Sequence, residues 1–159
     1  MKTAIVPGSF DPITSGHLDI IKRAATLFDS VVVGVAKNVA KKPLFTTDER
    51  VGLVKKATSD IANVAVKEFD SLLVEFADRQ DAHVIVKGLR AVSDFEHEFQ
   101  MAQLNRELNE TVETLFMMAS PEYAYLSSSS VREIAEYGGA VKGLVPLVVE
   151  EALRNKFSS

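Results

Sequence analysis

The sequence predicts an α/β fold: a Rossmann-like, doubly wound sheet of five parallel strands, in a single domain over residues 1–159 that closes with C-terminal helices. Three observations predict it. Short runs rich in Val and Ile alternate with segments whose apolar residues recur every three to four positions. The runs are continuous rather than alternating with polar residues, as expected of strands covered on both faces. No linker, internal repeat or low-complexity tract interrupts the 159 residues, of which 47% are hydrophobic, enough for a real core.

Strands are expected at Thr3–Val6, Val31–Ala36, Val64–Val66, Val84–Val86 and Thr114–Met118. Helical periodicity falls between them. The first helix spans Leu18–Phe28, with Gly16 and His17 at its start. The second, Glu49–Thr58, opens on Thr46-Thr47-Asp48-Glu49, a capping box in which hydroxyl and carboxylate satisfy each other's backbone N–H groups. Asp70 or Ser71 is placed to cap a third helix, Leu72–Arg79. Ser93-Asp94-Phe95-Glu96 reads as a capping box for Phe95–Leu108, and Ser130-Val131-Arg132-Glu133 as another after the fifth strand. That helix should stop near Gly138-Gly139, and Pro146 suits the first turn of a last helix running to about Lys156.

Composition narrows the function. The formal net charge is −4, and no Lys/Arg cluster is large enough for a nucleic-acid surface, so no nucleic-acid partner is expected. Cys is absent, which excludes disulfides and thiolate metal sites. No apolar run approaches the ~20 residues of a membrane span, and neither a signal peptide nor a transit pattern is visible, so a cytoplasmic protein without a membrane partner is expected.

In parallel sheets ligands sit beyond the carboxyl ends of the strands, where the strand order reverses. Four polar clusters follow strand ends. The first is Gly8-Ser9-Phe10 with Thr14-x-Gly16-His17. A tight loop entering a helix N-terminus exposes unpaired N–H groups and about half a positive charge, which suits phosphate. Ser9 and Thr14 can donate hydroxyls there, and an imidazole at the same place suggests phosphate chemistry rather than mere binding. Alone, His17 would more simply be a capping or packing residue. The second cluster, Lys41-Lys42, is ordinary solvated surface unless it faces the first loop. The third is Lys87-Gly88-Leu89-Arg90, a point charge and a rigid fork around a glycine. Glu98 follows on the next helix, able to accept from a ribose hydroxyl or to position a metal-bound water. The fourth is Tyr123-Ala124-Tyr125-Leu126-Ser127-Ser128-Ser129-Ser130-Val131-Arg132, a second anion cradle at a helix start. Tyr123 or Tyr125 could stack on a base or pack in the core. His83 and His97 form no metal set with His17. No P-loop and no Gly-x-Gly-x-x-Gly is present, which weakens kinase and dehydrogenase readings.

Together these motifs resemble the nucleotidyltransferase superfamily marked by His-x-Gly-His and a distal Ser-Ser/Thr-x-x-Arg/Lys. Within it the chain resembles the bacterial phosphopantetheine adenylyltransferases. The resemblance runs through Pro-Gly-Ser-Phe-Asp-Pro-Ile-Thr-x-Gly-His at 7–17, Lys-Lys-Pro at 41–43, Asp-Glu-Arg at 48–50, Lys-Gly-Leu-Arg at 87–90, Asp-Phe-Glu-x-Glu at 94–98 and the serines before Arg132. Thr14 stands where the wider superfamily has His. The resemblance implies transfer of the adenylyl group of ATP to 4′-phosphopantetheine, giving dephospho-coenzyme A and pyrophosphate, with Mg²⁺ as cofactor and a homohexamer as the assembly. It implies Ser9, Phe10, His17, Gly88, Leu89, Arg90, Glu98 and Tyr123, Ala124, Tyr125, Leu126, Ser127, Ser128 and Ser129 as ATP contacts. Ser9, Lys41, Leu73 and Lys87 would bind phosphopantetheine. His17, Thr14, Lys41 and Arg90 would carry the catalysis, with no protein residue assigned as a metal ligand. Other acceptors, such as nicotinamide mononucleotide or glycerol phosphate, and a non-catalytic nucleotide sensor remain alternatives on the same fold.

Overall fold

Buried Val and Ile decide the architecture. In the computed structural model, which describes residues 1–39 and 42–158 and only the backbone of Val92 and Ser93, five strands run parallel: β1 Thr3–Gly8, β2 Ser30–Ala36, β3 Val64–Phe69, β4 Val84–Leu89 and β5 Glu113–Met118. Their order is β3-β2-β1-β4-β5, so the winding reverses between β1 and β4. Successive side chains point to opposite faces. Ala4, Val6, Val31, Val33 and Val35 enter the larger core, under helices α1 (Ser15–Leu27), α2 (Thr47–Ala57), α5 (Ser128–Glu136) and α6 (Leu147–Phe157). Ile5 and Val32 enter a smaller core on the other face, with Val74, Phe76 and Ala77 of α3 (Leu73–Arg79). Helix α4 (Val92–Leu108) packs beside β4 and β5 and leaves Phe95, Phe99, Leu104 and Leu108 exposed.

The register opens the site. β1 pairs with β2 along its whole length, from Thr3↔Ser30 to Gly8↔Val35. It pairs with β4 only at Ala4↔Val84 and Ile5↔Ile85. Beyond those positions no ladder holds the two strands together, and a crevice begins at their carboxyl ends.

The elements differ from the sequence expectation in several bounds and caps. β3 runs on to Phe69 and β4 to Leu89, because the neighbouring strands continue and supply partners (Ala36↔Phe69, Leu89↔Met118). α1 begins at Ser15 rather than Leu18, since Thr14 caps it from three residues before His17. Neither Asp70 nor Ser71 caps α3; the Ser71 hydroxyl donates to the Leu72 carbonyl at 3.1 Å, and the cap position is Leu72, without a side-chain bond. Ser93 is not the cap position: α4 starts at Val92 from Ala91, which sets Asp94 one turn after Arg90 for an ion pair. The cap of α5 is Ser127, three residues upstream of Ser130, with its oxygen accepting from the Ser130 N–H at 3.1 Å. The Thr46–Glu49 box forms as read, α5 ends just before Gly138, whose φ of 76° suits glycine, and Pro146 sits at the cap, one residue ahead of α6.

Gly34 sits in β2 beneath two stacked rings, Phe69 and Phe76, whose centroids are 4.6 Å apart. A Cβ at position 34 would lie 2.7 Å from the Phe76 ring and 3.1 Å from that of Phe69. Gly34→Ala is therefore expected to cost about 1–3 kcal/mol in urea unfolding through overpacking. Unchanged stability would mean that the rings are free to shift.

Candidate active site

The crevice is built from the ends of β1 and β4 and the starts of α1 and α5. Past Gly8 the chain turns so that Phe10, with φ of 50°, buries its ring beneath the loop at 2% exposure. A Cβ on Gly8 would meet that ring at 3.0 Å, so glycine is what allows the fold-back. The Phe10 ring meets His17 edge-on, with centroids 5.1 Å apart.

Thr14 and His17 form a capping box. The Thr14 oxygen accepts from the His17 N–H at 3.3 Å, and the Thr14 N–H donates to His17 Nδ1 at 3.0 Å. An acceptor Nδ1 carries no proton, so the neutral ring bears its hydrogen on Nε2, which becomes a donor. The same residue thus completes the helix cap and sets its own tautomer. Burial, then the nearby charges of Arg90 and Lys87, push the His17 pKa down to about 4. Each cause disfavours the imidazolium. At neutral pH the ring is an uncharged donor beside two cations.

Those cations arrive from β4. Lys87 Nζ lies 3.3 Å from Glu98 of α4. Arg90 donates to both carboxylate oxygens of Asp94 at 3.0 and 3.4 Å and to the Leu126 carbonyl at 2.9 Å, joining the end of β4 to the loop before α5. Gly88 is close-packed: a Cβ there would meet Ile20 of α1 at 3.0 Å. The start of α5 is pinned to the first loop. Ser128 donates to the Pro12 carbonyl at 2.8 Å, while Arg132 donates to the Asp11 carbonyl and to Ser129 Oγ at 3.3 Å.

The result is a cleft of about 490 Å³. Ser9, Phe10, Thr14 and His17 line it from the β1 side, and Lys87, Gly88, Arg90 and Glu98 from the β4 side. Tyr123, Leu126, Ser127, Ser128 and Ser129 line it from the fifth strand's loop, with Arg132 beside them. Four sequence-derived contacts lie elsewhere. Leu89 is buried at 7% exposure, pointing into the fold. Ala124 and Tyr125 are outside the lining, Tyr125 at 73% exposure. Leu73 packs with Phe69 against the smaller core. Lys41 lies outside the described residues. Two helix N-termini, Lys87, Arg90 and Arg132 make this a polyanion site. The lining carboxylates, Asp94 and Glu98, each hold one of its cations.

Sequence reasoning gave no role to Asp11 or Arg50, both buried polar residues. The signal for Arg50 was present: it shares the inward stripe of α2 with Leu53 and Val54, where an apolar residue is the ordinary choice.

Comparison with known proteins agrees with this geometry. The cytidylyltransferase-like family model matches residues 5–134. The chain is 58% identical to the phosphopantetheine adenylyltransferase of Caldanaerobacter subterraneus subsp. tengcongensis, over 99% of this chain and 98% of that one. It is 55% identical to that of Geobacter sulfurreducens, over 99% and 96%. A crystal structure of a candidate nicotinate-nucleotide adenylyltransferase from Vibrio parahaemolyticus superposes with a TM-score of 0.69 at 19% identity, covering 99% of this chain and 95% of that one. That last likeness bears on the fold alone. Identity of this order over nearly the whole length of both chains shows that the chain belongs to the phosphopantetheine adenylyltransferase family.

Proposed function

We propose that this chain transfers the adenylyl group of ATP to the phosphate of 4′-phosphopantetheine, forming dephospho-coenzyme A and releasing pyrophosphate. The observation that carries the reading is the neutral Nε2–H of His17 set beside Lys87 and Arg90 in a cleft flanked by two helix starts. An oxygen of the acceptor phosphate attacks the α-phosphorus, the bond to the β-phosphate oxygen breaks, and pyrophosphate leaves with that electron pair. The attacking oxygen is already anionic at neutral pH, so no general base is required. Catalysis is alignment plus stabilisation of charge on the α-phosphate and the leaving group. His17 donates to the α-phosphate; being neutral, it loses no proton and competes with no cation for the substrate. Thr14, Lys41, Lys87 and Ser9 hold the acceptor phosphate. Arg90, Ser127, Ser128, Ser129 and Arg132 hold the departing pyrophosphate, and the tethers from Asp94 and Glu98 keep the cations extended into the cleft.

Mg²⁺ enters as part of the nucleotide substrate. Of the lining carboxylates, Glu98 pairs with Lys87 and Asp94 with Arg90, so an ion arriving with the nucleotide would keep the phosphate oxygens as its main ligands. The assembly is a homohexamer that covers Phe95, Phe99, Leu104 and Leu108 of α4, at 43–60% exposure in the single chain. No described helix is long and apolar enough to cross a membrane.

Turnover is the direct test. ATP and Mg²⁺ with 4′-phosphopantetheine should yield dephospho-coenzyme A, whereas nicotinamide mononucleotide and glycerol phosphate should yield nothing comparable. Equal turnover of either alternative would reassign the acceptor. His17→Ala should lower kcat by roughly 10²–10³ while the Kd for ATP changes little, since one donor to the transition state is lost; a near-normal kcat would remove His17 from the mechanism.

Nitrogen-detected NMR of the His17 ring should find the hydrogen on Nε2 and a midpoint near 4 in the free protein. The sign for stability follows. Between that value and the ordinary 6.5 the unfolded chain binds more protons, so His17 favours the folded state fully above 6.5 and loses that contribution as pH falls towards 4. Urea unfolding at pH 7 and pH 4.5 should show a larger acid loss in the wild type than in His17→Asn. Sedimentation velocity should give a species six times the chain mass, and Phe99→Glu should break it down.

A further inference from the structure

Arg50 is the largest fully buried side chain among the described residues, at 1% exposure. Its guanidinium is satisfied wholly by uncharged acceptors. Nε donates to the Phe45 carbonyl at 3.2 Å, Nη1 to the carbonyls of Ser9 at 2.8 Å and Ala36 at 2.7 Å, and Nη2 to Thr47 Oγ1 at 3.1 Å and the Lys37 carbonyl at 3.5 Å. Burying a charge is costly unless its hydrogens are all engaged. What the guanidinium provides in return is reach: a rigid planar fork of five N–H groups binds several segments at fixed angles.

The acceptors come from three places. Ser9 follows β1 and lines the cleft. Ala36 and Lys37 end β2. Phe45 and Thr47 lead into α2. The last two places are the two ends of the loop that carries Lys42, so one side chain ties that loop at both ends and joins it to Ser9. Asp11 repeats the link from the other side. Its carboxylate, on a residue 7% exposed, accepts from the N–H groups of Leu44 and Phe45, each at 2.9 Å. Its backbone carbonyl accepts from Arg132 of α5. Neither Asp11 nor Arg50 lines the cleft. By contrast, the other half of the site has its own supports: Thr14 holds His17, and Asp94 with the Leu126 carbonyl holds Arg90.

We propose that Arg50, together with Asp11, is a positioning residue for the acceptor half of the site, fixing Ser9 relative to the end of β2 and the start of α2. The inference rests on the adenylyl-transfer reading above and extends it to residues that touch no substrate. A residue serving stability alone would lower the melting temperature without separating one substrate from the other. A clamp between the acceptor-binding loops separates them.

The experiment is steady-state kinetics of Arg50→Lys and Asp11→Asn, below their melting temperatures, with both substrates varied. The KM for 4′-phosphopantetheine should rise roughly tenfold or more, while the KM for ATP stays within about threefold. Parallel changes in both constants, or no change in a folded variant, would overturn the proposal. If Arg50→Lys does not fold, Asp11→Asn decides by the same split. Amide exchange supplies a readout independent of turnover: the Leu44 and Phe45 amides should exchange roughly tenfold faster in either variant, with those of Ile5 and Val32 unchanged. A wild type that makes no dephospho-coenzyme A sinks the functional reading, and the exchange result then decides the clamp by itself.

Discussion

The site depends on β1 and β4 pairing over two residues and then parting. Their ladder, Ala4↔Val84 and Ile5↔Ile85, joins the two halves of the sheet. Past it each strand keeps only its outer neighbour, β2 for β1 and β5 for β4. Right-handed crossovers wind in opposite senses from this point, so α1 and the segment after β4 diverge and no helix covers the gap. Longer pairing would have closed the space in which Ser9, His17, Lys87 and Arg90 face one another. Gly88 has the matching task on the inner wall, admitting Ile20 of α1 against β4.

Charge in the cleft is held in two ways. Lys87 and Arg90 are tethered by Glu98 and Asp94, so their positions are set before any anion arrives. Such pairs are only partly buried and add little stability of their own; their value here is orientation. His17 is treated differently. Its proton-free Nδ1 is engaged by the Thr14 N–H, and burial, reinforced by the adjacent cations, keeps the ring neutral. The cleft therefore offers both full positive charge and a neutral donor, two kinds of contact suited to different oxygens along a chain of phosphates. The depth of the network behind it, from Arg132 through Asp11 to Phe45 and Arg50, shows how loops without regular structure acquire fixed positions.

Much of this was legible in the residues. The alternation of Val-rich runs with helical periodicity predicts five strands in a parallel sheet, and the polar clusters at strand ends predict where a ligand would bind. His17, Lys87 and Arg90 lie 3 to 73 positions apart in the chain yet were expected together, because in parallel sheets every strand's carboxyl end faces the same side. The helix caps were read less well. Ser93 and Ser130 satisfy the spacing of a capping box, but the true starts were set by where the chain leaves β4 and by the contact that holds Ser128 to the first loop. Leu89 and Tyr125 belong to the right segments; burial of one and exposure of the other outside the lining are matters of side-chain direction, which residue type does not encode.

By itself, then, the sequence determined the fold class, the strand ends that matter and the chemistry gathered there, because periodicity and turn residues act over a few neighbouring positions. Tertiary structure decided the rest. That β1 and β4 separate after two pairs, and that Arg50, on the inward stripe of α2, gathers the carbonyls of Ser9 and Ala36 besides that of nearby Phe45, follow from contacts between residues far apart in the chain. The physical reason is that a buried guanidinium must find an acceptor for each of its hydrogens, and only the folded arrangement of Ser9, Ala36 and Phe45 specifies where those acceptors are.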